Sequence, residues 1–247
     1  DFCRACPGLR KLVYFSTCYV AGDRQGVIKE DELEARQGFK NHYEATKYAA
    51  EVEVRRAIDK GLPVIIIRPS IVVGDSQTGE TGKFDGPYFG MRFIDHFKWL
   101  PVGLPMLGPS LAFVNLTPVD FLIDATLVIA AKPGSVGKTF QVADPAPTQA
   151  KEIYKELCLR ITGREPGGLC LQPALVGFIL GGPIGKLLGV PAQVLTYFNH
   201  DARFDTANTD AALVGSDVRC PVFKTYVDAI YRYWQAHHKE PGRSAKY

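Results

Sequence analysis

Cysteine is scarce and scattered: six residues, at positions 3, 6, 18, 158, 170 and 220 of 247, are too sparse for a disulfide framework and fit a reducing, cytoplasmic setting. Cys3 and Cys6 have the gap of a metal or redox pair, but no second pair and no His-x-x-x-His completes a four-ligand set, so no metal is expected. An excess of charge of one sign is also lacking. The net charge is +3 and the basic residues are dispersed, which excludes the electrostatic footprint of a nucleic-acid binder. The chain opens on Asp1 without an initiator Met, a basic n-region or an apolar h-region, so no signal peptide is expected within these residues, and it reads as though already mid-domain. A Gly-x-Ser-x-Gly elbow is absent, which argues against a serine hydrolase. The five histidines are dispersed, and His237 and His238 sit in a polar tail that reads as solvated surface.

What is present is an ordinary globular composition, 46% hydrophobic and 22% charged, enough to bury a core. Residues 11–15 (KLVYF) read as a buried strand that delivers Ser16 and Thr17 at its C-terminal edge. Residues 41–60 carry apolar positions at helical spacing and are stopped by Gly61 and Pro63, which predicts a helix. Residues 64–67 (VIII) have the β-branched composition of a parallel strand covered on both faces, and Arg68-Pro69 ends it. A helix over 119–131, a strand over 138–143 and a helix over 148–161 follow. Such alternation predicts an α/β fold with a parallel sheet, whose ligands bind at the C-terminal ends of the strands. Between 74 and 118 the chain is rich in Gly, Pro and aromatics, which suits a substrate-covering excursion.

The apolar stretch 169–198 approaches the length of a membrane span, but five glycines, Pro183, Pro191 and Lys186 interrupt it. Two hydrophobic helices packed over a pocket fit those interruptions better than a span, with peripheral membrane contact as the alternative.

Tyr43 and Lys47 stand four apart on the predicted helix and therefore share a face. A tyrosine of reference pKa near ~10 is a poor proton donor or acceptor at neutral pH unless a nearby cation stabilises its phenolate, and a lysine one turn on supplies that cation. The same ammonium can hydrogen-bond a ribose hydroxyl. The spacing alone is weak, since about 0.7 such pairs arise by chance. Here it is the chain's single Tyr-x-x-x-Lys, it opens a helix, and a strand ending in hydroxyls precedes it.

These residues resemble the extended short-chain dehydrogenase/reductases. FSTCYVAG is similar to that family's hydroxyl-bearing strand end, NHYEATKYAAE to its catalytic helix and IIIRPSIVVG to its nicotinamide-facing strand and loop. RPSIVVGDSQTGETGKFDGPY, VPAQVLTYFNHDARFDTANTDAAL and CPVFKTYVDAIYRYW resemble the thioester-reductase and fatty-acyl reductase (male-sterility) branch, and the likeness runs from about Leu9 to Trp234. The resemblance implies a partial Rossmann-like, doubly wound parallel sheet over residues 1–145, with the excursion at about 75–117. Residues 146–247 would form a mostly helical substrate region. It assigns Thr17 as the catalytic hydroxyl, with Ser16 as the alternative. Tyr43 becomes the proton donor, and Lys47 the residue that lowers the tyrosine pKa and holds the nicotinamide ribose. Pro69, Ser70, Ile71 and Val72 form the loop beside the nicotinamide ring. NADP, or NAD, is the implied cofactor, and a small-molecule or carrier-bound acyl group the implied substrate. A nucleotide-sugar epimerase or dehydratase shares the same three residues but calls for a polar pocket, and a catalytically silent fragment is the third reading.

The departure from the family lies at the phosphates, which its first strand and glycine-rich turn bind. Gly181-Gly182-Pro183-Ile184-Gly185 has the wrong spacing, and the GSVGKT of residues 134–139 runs into a strand where a P-loop needs a helix. By the resemblance, about 110 to 130 residues should precede Asp1 to supply that turn.

Overall fold

The computed structural model describes residues 2–107, 111–172 and 201–243. Its elements in chain order are β1 (Leu12–Phe15), β2 (Gly26–Ile28), α1 (His42–Asp59), β3 (Val64–Pro69), β4 (Ile71–Val73), α2 (Pro87–Phe97) and β5 (Pro105–Leu107). After these come β6 (Phe113–Val114), β7 (Leu116–Pro118), α3 (Val119–Ala131), β8 (Thr139–Val142), β9 (Thr148–Gln149), α4 (Ala150–Thr162), β10 (Gly167–Leu171), β11 (Ala202–Phe204), α5 (Ala207–Leu213) and α6 (Phe223–His237). They fall into two compact units. The first comprises Asp1–Val72, Asp120–Pro145 and Ala202–Cys220; the second comprises Val73–Val119, Ala146–Asp201 and Pro221–Tyr247.

The first unit is built on a parallel sheet of order β1-β3-β8. β3 lies in the middle and is buried along its whole length, as its run of valine and isoleucine requires when both faces are covered. Alternation along the strands assigns the two faces. Ile65 and Ile67 of β3, with Phe140 and Val142 of β8, pack against Phe121, Leu122, Ala125 and Ile129 of α3. The opposite face, with Tyr14, Ser16 and Arg68, is turned to α1. Residues 202–220 return to this unit: β11 pairs in parallel with β2, and α5 contributes Leu213 to the α3-side core.

α1 begins where its caps dictate. The Asn41 side chain accepts from the Glu44 N–H at 2.9 Å, while the Glu44 carboxylate reaches back to the Lys40 N–H at 3.0 Å, a capping-box arrangement that fixes the first turn, Tyr43 included. Upstream, the short 3-10 turn Cys18–Ala21 follows β1 and ends at Gly22, whose φ of +64° and approach to the Gly38 carbonyl leave no room for a Cβ.

The second unit holds α2, α4 and α6, and a two-stranded parallel pair, β5 with β10. The irregular region after residue 74 thus contains a helix, α2, that burial of Tyr88, Phe89, Met91 and Ile94 secures. α6 is an aromatic helix with Phe223, Tyr226 and Trp234 buried, and at its end His238 stacks on the Trp234 indole at 4.3 Å. His237 and His238 are half-buried helix-end residues rather than a solvated tail. Of the apolar stretch 169–198, all from residue 173 lies outside the described residues. Among the described residues no helix is long and apolar enough to cross a membrane.

Candidate active site

The register of the sheet brings the predicted site residues to one edge. Phe15 pairs with Ile67, and the Ser16 N–H continues the ladder to the Ile67 carbonyl at 2.7 Å, so that Ser16 and Thr17 leave β1 where Arg68, Pro69 and Ser70 leave β3. Thr17 is 4% exposed; its hydroxyl donates to the Pro69 carbonyl at a long 3.4 Å and accepts from the Tyr19 N–H as the cap of the 3-10 turn. Ser70 is buried and its N–H donates to the Val142 carbonyl, while Ile71 is half-buried and Val72 exposed.

Across this edge lies α1, which packs on the Cys18–Ala21 turn. Tyr43 stands in its first turn with 57% of its surface exposed. Lys47, one turn on, donates from Nζ to the Phe15 carbonyl at 2.6 Å and lies 5.3 Å from the centre of the Tyr14 ring, a cation–π distance. Burial, then the charges of Glu51 and Tyr43, push the Tyr14 phenol up, which places all three groups in one neighbourhood.

Sequence reasoning missed a buried polar layer beneath these groups. Ser16 Oγ donates to Glu51 Oε2 at 2.6 Å, and Arg68 forks onto the same carboxylate, Nε to Oε2 at 3.1 Å and Nη2 to Oε1 at 2.7 Å. Arg55 Nε adds a fourth donor at 3.1 Å. Burial alone would raise the Glu51 pKa, but the hydrogen bond and charge of Arg68, the Ser16 hydroxyl and the Arg55 charge together hold it below the ordinary value. Glu51 continues the four-residue spacing of Tyr43 and Lys47, and Arg68 is a lone charge in an apolar run. Both signals were present in the sequence.

Chemically, the arrangement offers an exposed phenol, an ammonium one turn away and a hydroxyl at a strand end, which fits the nicotinamide–ribose half of a dinucleotide. Lys47 has three donors and Phe15 takes one. A pyrophosphate cradle, a glycine-rich turn between a strand and a helix N-terminus, is not found among the described residues: GSVGKT turns at Gly134 and Gly137 and enters β8. A cavity of about 280 Å³ in the first unit, lined by Phe121, Thr209, Leu213, Val218 and Cys220 among others, contains none of the predicted site residues. Burial pushes its Cys220 thiol well up.

The parallel sheet, whose strand ends face the helix that carries Tyr43 and Lys47, is a Rossmann-like fold of the extended short-chain dehydrogenase/reductase type. The chain belongs to the family described as male sterility protein, whose profile matches residues 1–126. Among curated relatives it is 33% identical to the non-canonical nonribosomal peptide synthetase FrzA of Cladobotryum sp. over 65% of this chain and 16% of that protein. It is 34% identical to the L-2-aminoadipate reductase large subunit of Eremothecium gossypii over 59% of this chain and 10% of that one. The chain thus spans a small part of the curated relatives it matches. Among solved structures, the terminal R domain from the myxalamid PKS-NRPS biosynthetic pathway superimposes with a TM-score of 0.75 at 26% identity, covering 95% of this chain and 60% of that one. A UDP-glucuronic acid 4-epimerase from Bacillus cereus, at 17% identity and a TM-score of 0.60, shares the fold alone.

Proposed function

We propose that this chain carries the catalytic residues of a reductase that converts a carrier- or coenzyme-bound acyl thioester to an aldehyde at the expense of NADPH, or NADH. The observation that carries the reading is the placement of Lys47, bonded to the Phe15 carbonyl beside Thr17 and one turn from the exposed Tyr43. The bound reduced nicotinamide supplies the hydride. Tyr43 gives its phenolic proton to the oxygen of the reduced carbonyl, and the Lys47 ammonium stabilises the phenolate left behind. Thr17 turns its hydroxyl from the long Pro69 contact to the same oxygen as charge develops there. The resulting hemithioacetal then expels the thiol and leaves the aldehyde. Ser16 is committed to Glu51, which supports Thr17 as the hydroxyl that acts. Pro69, Ser70, Ile71 and Val72 would line the ring.

Support comes from relatives, an L-2-aminoadipate reductase at 34% identity and an aldehyde reductase, lnbA of Aspergillus flavus, at 31%. The test is incubation of the full-length protein with NADPH or NADH and an acyl-coenzyme A or acyl-carrier thioester, with aldehyde trapped as a hydrazone. Stoichiometric aldehyde and free thiol are expected, and Tyr43→Phe should lower turnover by about 10²-fold or more. Turnover of a nucleotide sugar with no thioester reduction would refute the reading.

A further inference from the structure

We propose that Glu51, clamped by Arg68, is a positioning residue for the reduction: it locks α1 in register with the ends of β1 and β3 and so sets Tyr43 and Lys47 against Thr17 and the loop from Pro69 to Val72. This rests on the reading of the site given above. Glu51 lies one turn beyond Lys47 and two beyond Tyr43, so all three share a helix face, with a rise of about 6 Å between neighbours. Its two partners on the sheet are the immediate neighbours of site residues: Ser16 precedes Thr17, and Arg68 precedes Pro69. Any slide or rotation of α1 that displaced the phenol would therefore break the clamp.

The chemistry of the clamp is directional where an apolar contact is not. A guanidinium fork on a carboxylate sets both distance and orientation, and here both side chains are essentially unexposed, at 1% and 0%. Two further Arg68 N–H groups are held by backbone, Nη2 by the Glu32 carbonyl at 2.9 Å and Nη1 by the Glu30 carbonyl at 3.4 Å, which restrains the fork from swinging with the helix. Stability does not account for such a pair, because well-packed apolar residues of similar volume serve a core as well or better. Its location, under the two strand ends that carry the reacting groups, calls for a role in geometry, and reaction rates depend steeply on geometry: a displacement of about 1 Å costs on the order of 10²-fold.

The test uses the full-length protein with NADPH and an acyl-coenzyme A thioester. The double variant Glu51→Met/Arg68→Met replaces the clamp by an apolar contact of similar length. The expected result is a folded protein with a melting temperature near wild type and kcat lowered by about 10²-fold, a loss larger than any rise in KM for NADPH. A folded double variant with wild-type kcat would overturn the proposal. If the double variant fails to fold, Glu51→Gln is combined with Tyr43→Phe and rates are taken per folded molecule. A positioning role makes the two losses overlap, so that Glu51→Gln costs much less when Tyr43→Phe is already present, whereas independent, multiplying losses overturn it. Tyr43→Phe alone separates the premise from the proposal: wild-type turnover in that variant refutes the site itself.

Discussion

Lys47 donates its ammonium to the carbonyl of Phe15 at 2.6 Å, joining residues 32 apart in sequence. The bond ties the second turn of α1 to the end of β1, two residues before Thr17, and the Tyr14 ring of the same strand lies 5.3 Å from the cation.

In the proposed function one ammonium serves the strand end, the phenolate and a ribose hydroxyl, so Lys47→Met should raise the Kd for NADPH by about 10-fold or more as well as lower turnover, since a hydrogen bond to a charged group contributes about 1.5–3 kcal/mol. Lys47→Arg should not restore it, as the longer planar fork cannot take the place of a compact cation against Phe15. Calorimetric titration of the full-length variants checks both; unchanged affinity in Lys47→Met would remove the ribose contact from the account.

The Glu51 pKa is depressed in the folded protein, so its contribution is present above the unfolded carboxylate value near ~4.3 and is lost as pH falls through the lower folded value. In the wild-type protein, melting temperature should therefore decline through this acid range. In Glu51→Gln the protein starts less stable, with Arg68 buried against a neutral partner, and the gap between the two should narrow as pH falls. A gap that is constant with pH would show that Glu51 does not bear the charge.

Glu30 is 2% exposed, and its carboxylate collects the Gln141 N–H at 2.7 Å, the Thr209 N–H at 3.3 Å, the Thr209 hydroxyl at 2.9 Å and the Asn208 N–H. Through these bonds it fastens α5 to β8. Glu30→Gln keeps the shape but turns an NH₂ toward N–H donors, which should destabilise the protein by about 1–3 kcal/mol. Hydrogen exchange should accelerate first in residues 202–213; uniform acceleration throughout the chain would contradict a local fastening.

Much of the sheet unit was legible because its signals are local. The VIII run could only be a covered strand, α3 emerged over the same residues its apolar pattern marks, and the Asn41 and Gly61 punctuation bounded α1. Tyr43 and Lys47 were legible as a pair because helical spacing alone puts them on one face. The strand extends through Arg68-Pro69, two residues past the expected stop, because Arg68 is held by a helix residue 17 positions away and its burial is thereby tolerated. The α2 helix escaped notice in a stretch dense in glycine and proline, whose aromatic residues declare themselves as core only once partners surround them.

The sequence by itself determined the alternation of strands and helices, the face that carries Tyr43 and Lys47, and the hydroxyls at the end of β1, since each depends on backbone periodicity within a few residues. Only the tertiary structure decided which strand neighbours which, that Ser16 turns to Glu51 while Thr17 lies against Pro69, and that residues 202–220 return to the sheet held by Glu30. Those choices are made by the pairing of buried charges and hydrogen-bond donors distant in sequence. Such groups find partners only when the chain has closed around them, and no local pattern encodes which partner that will be.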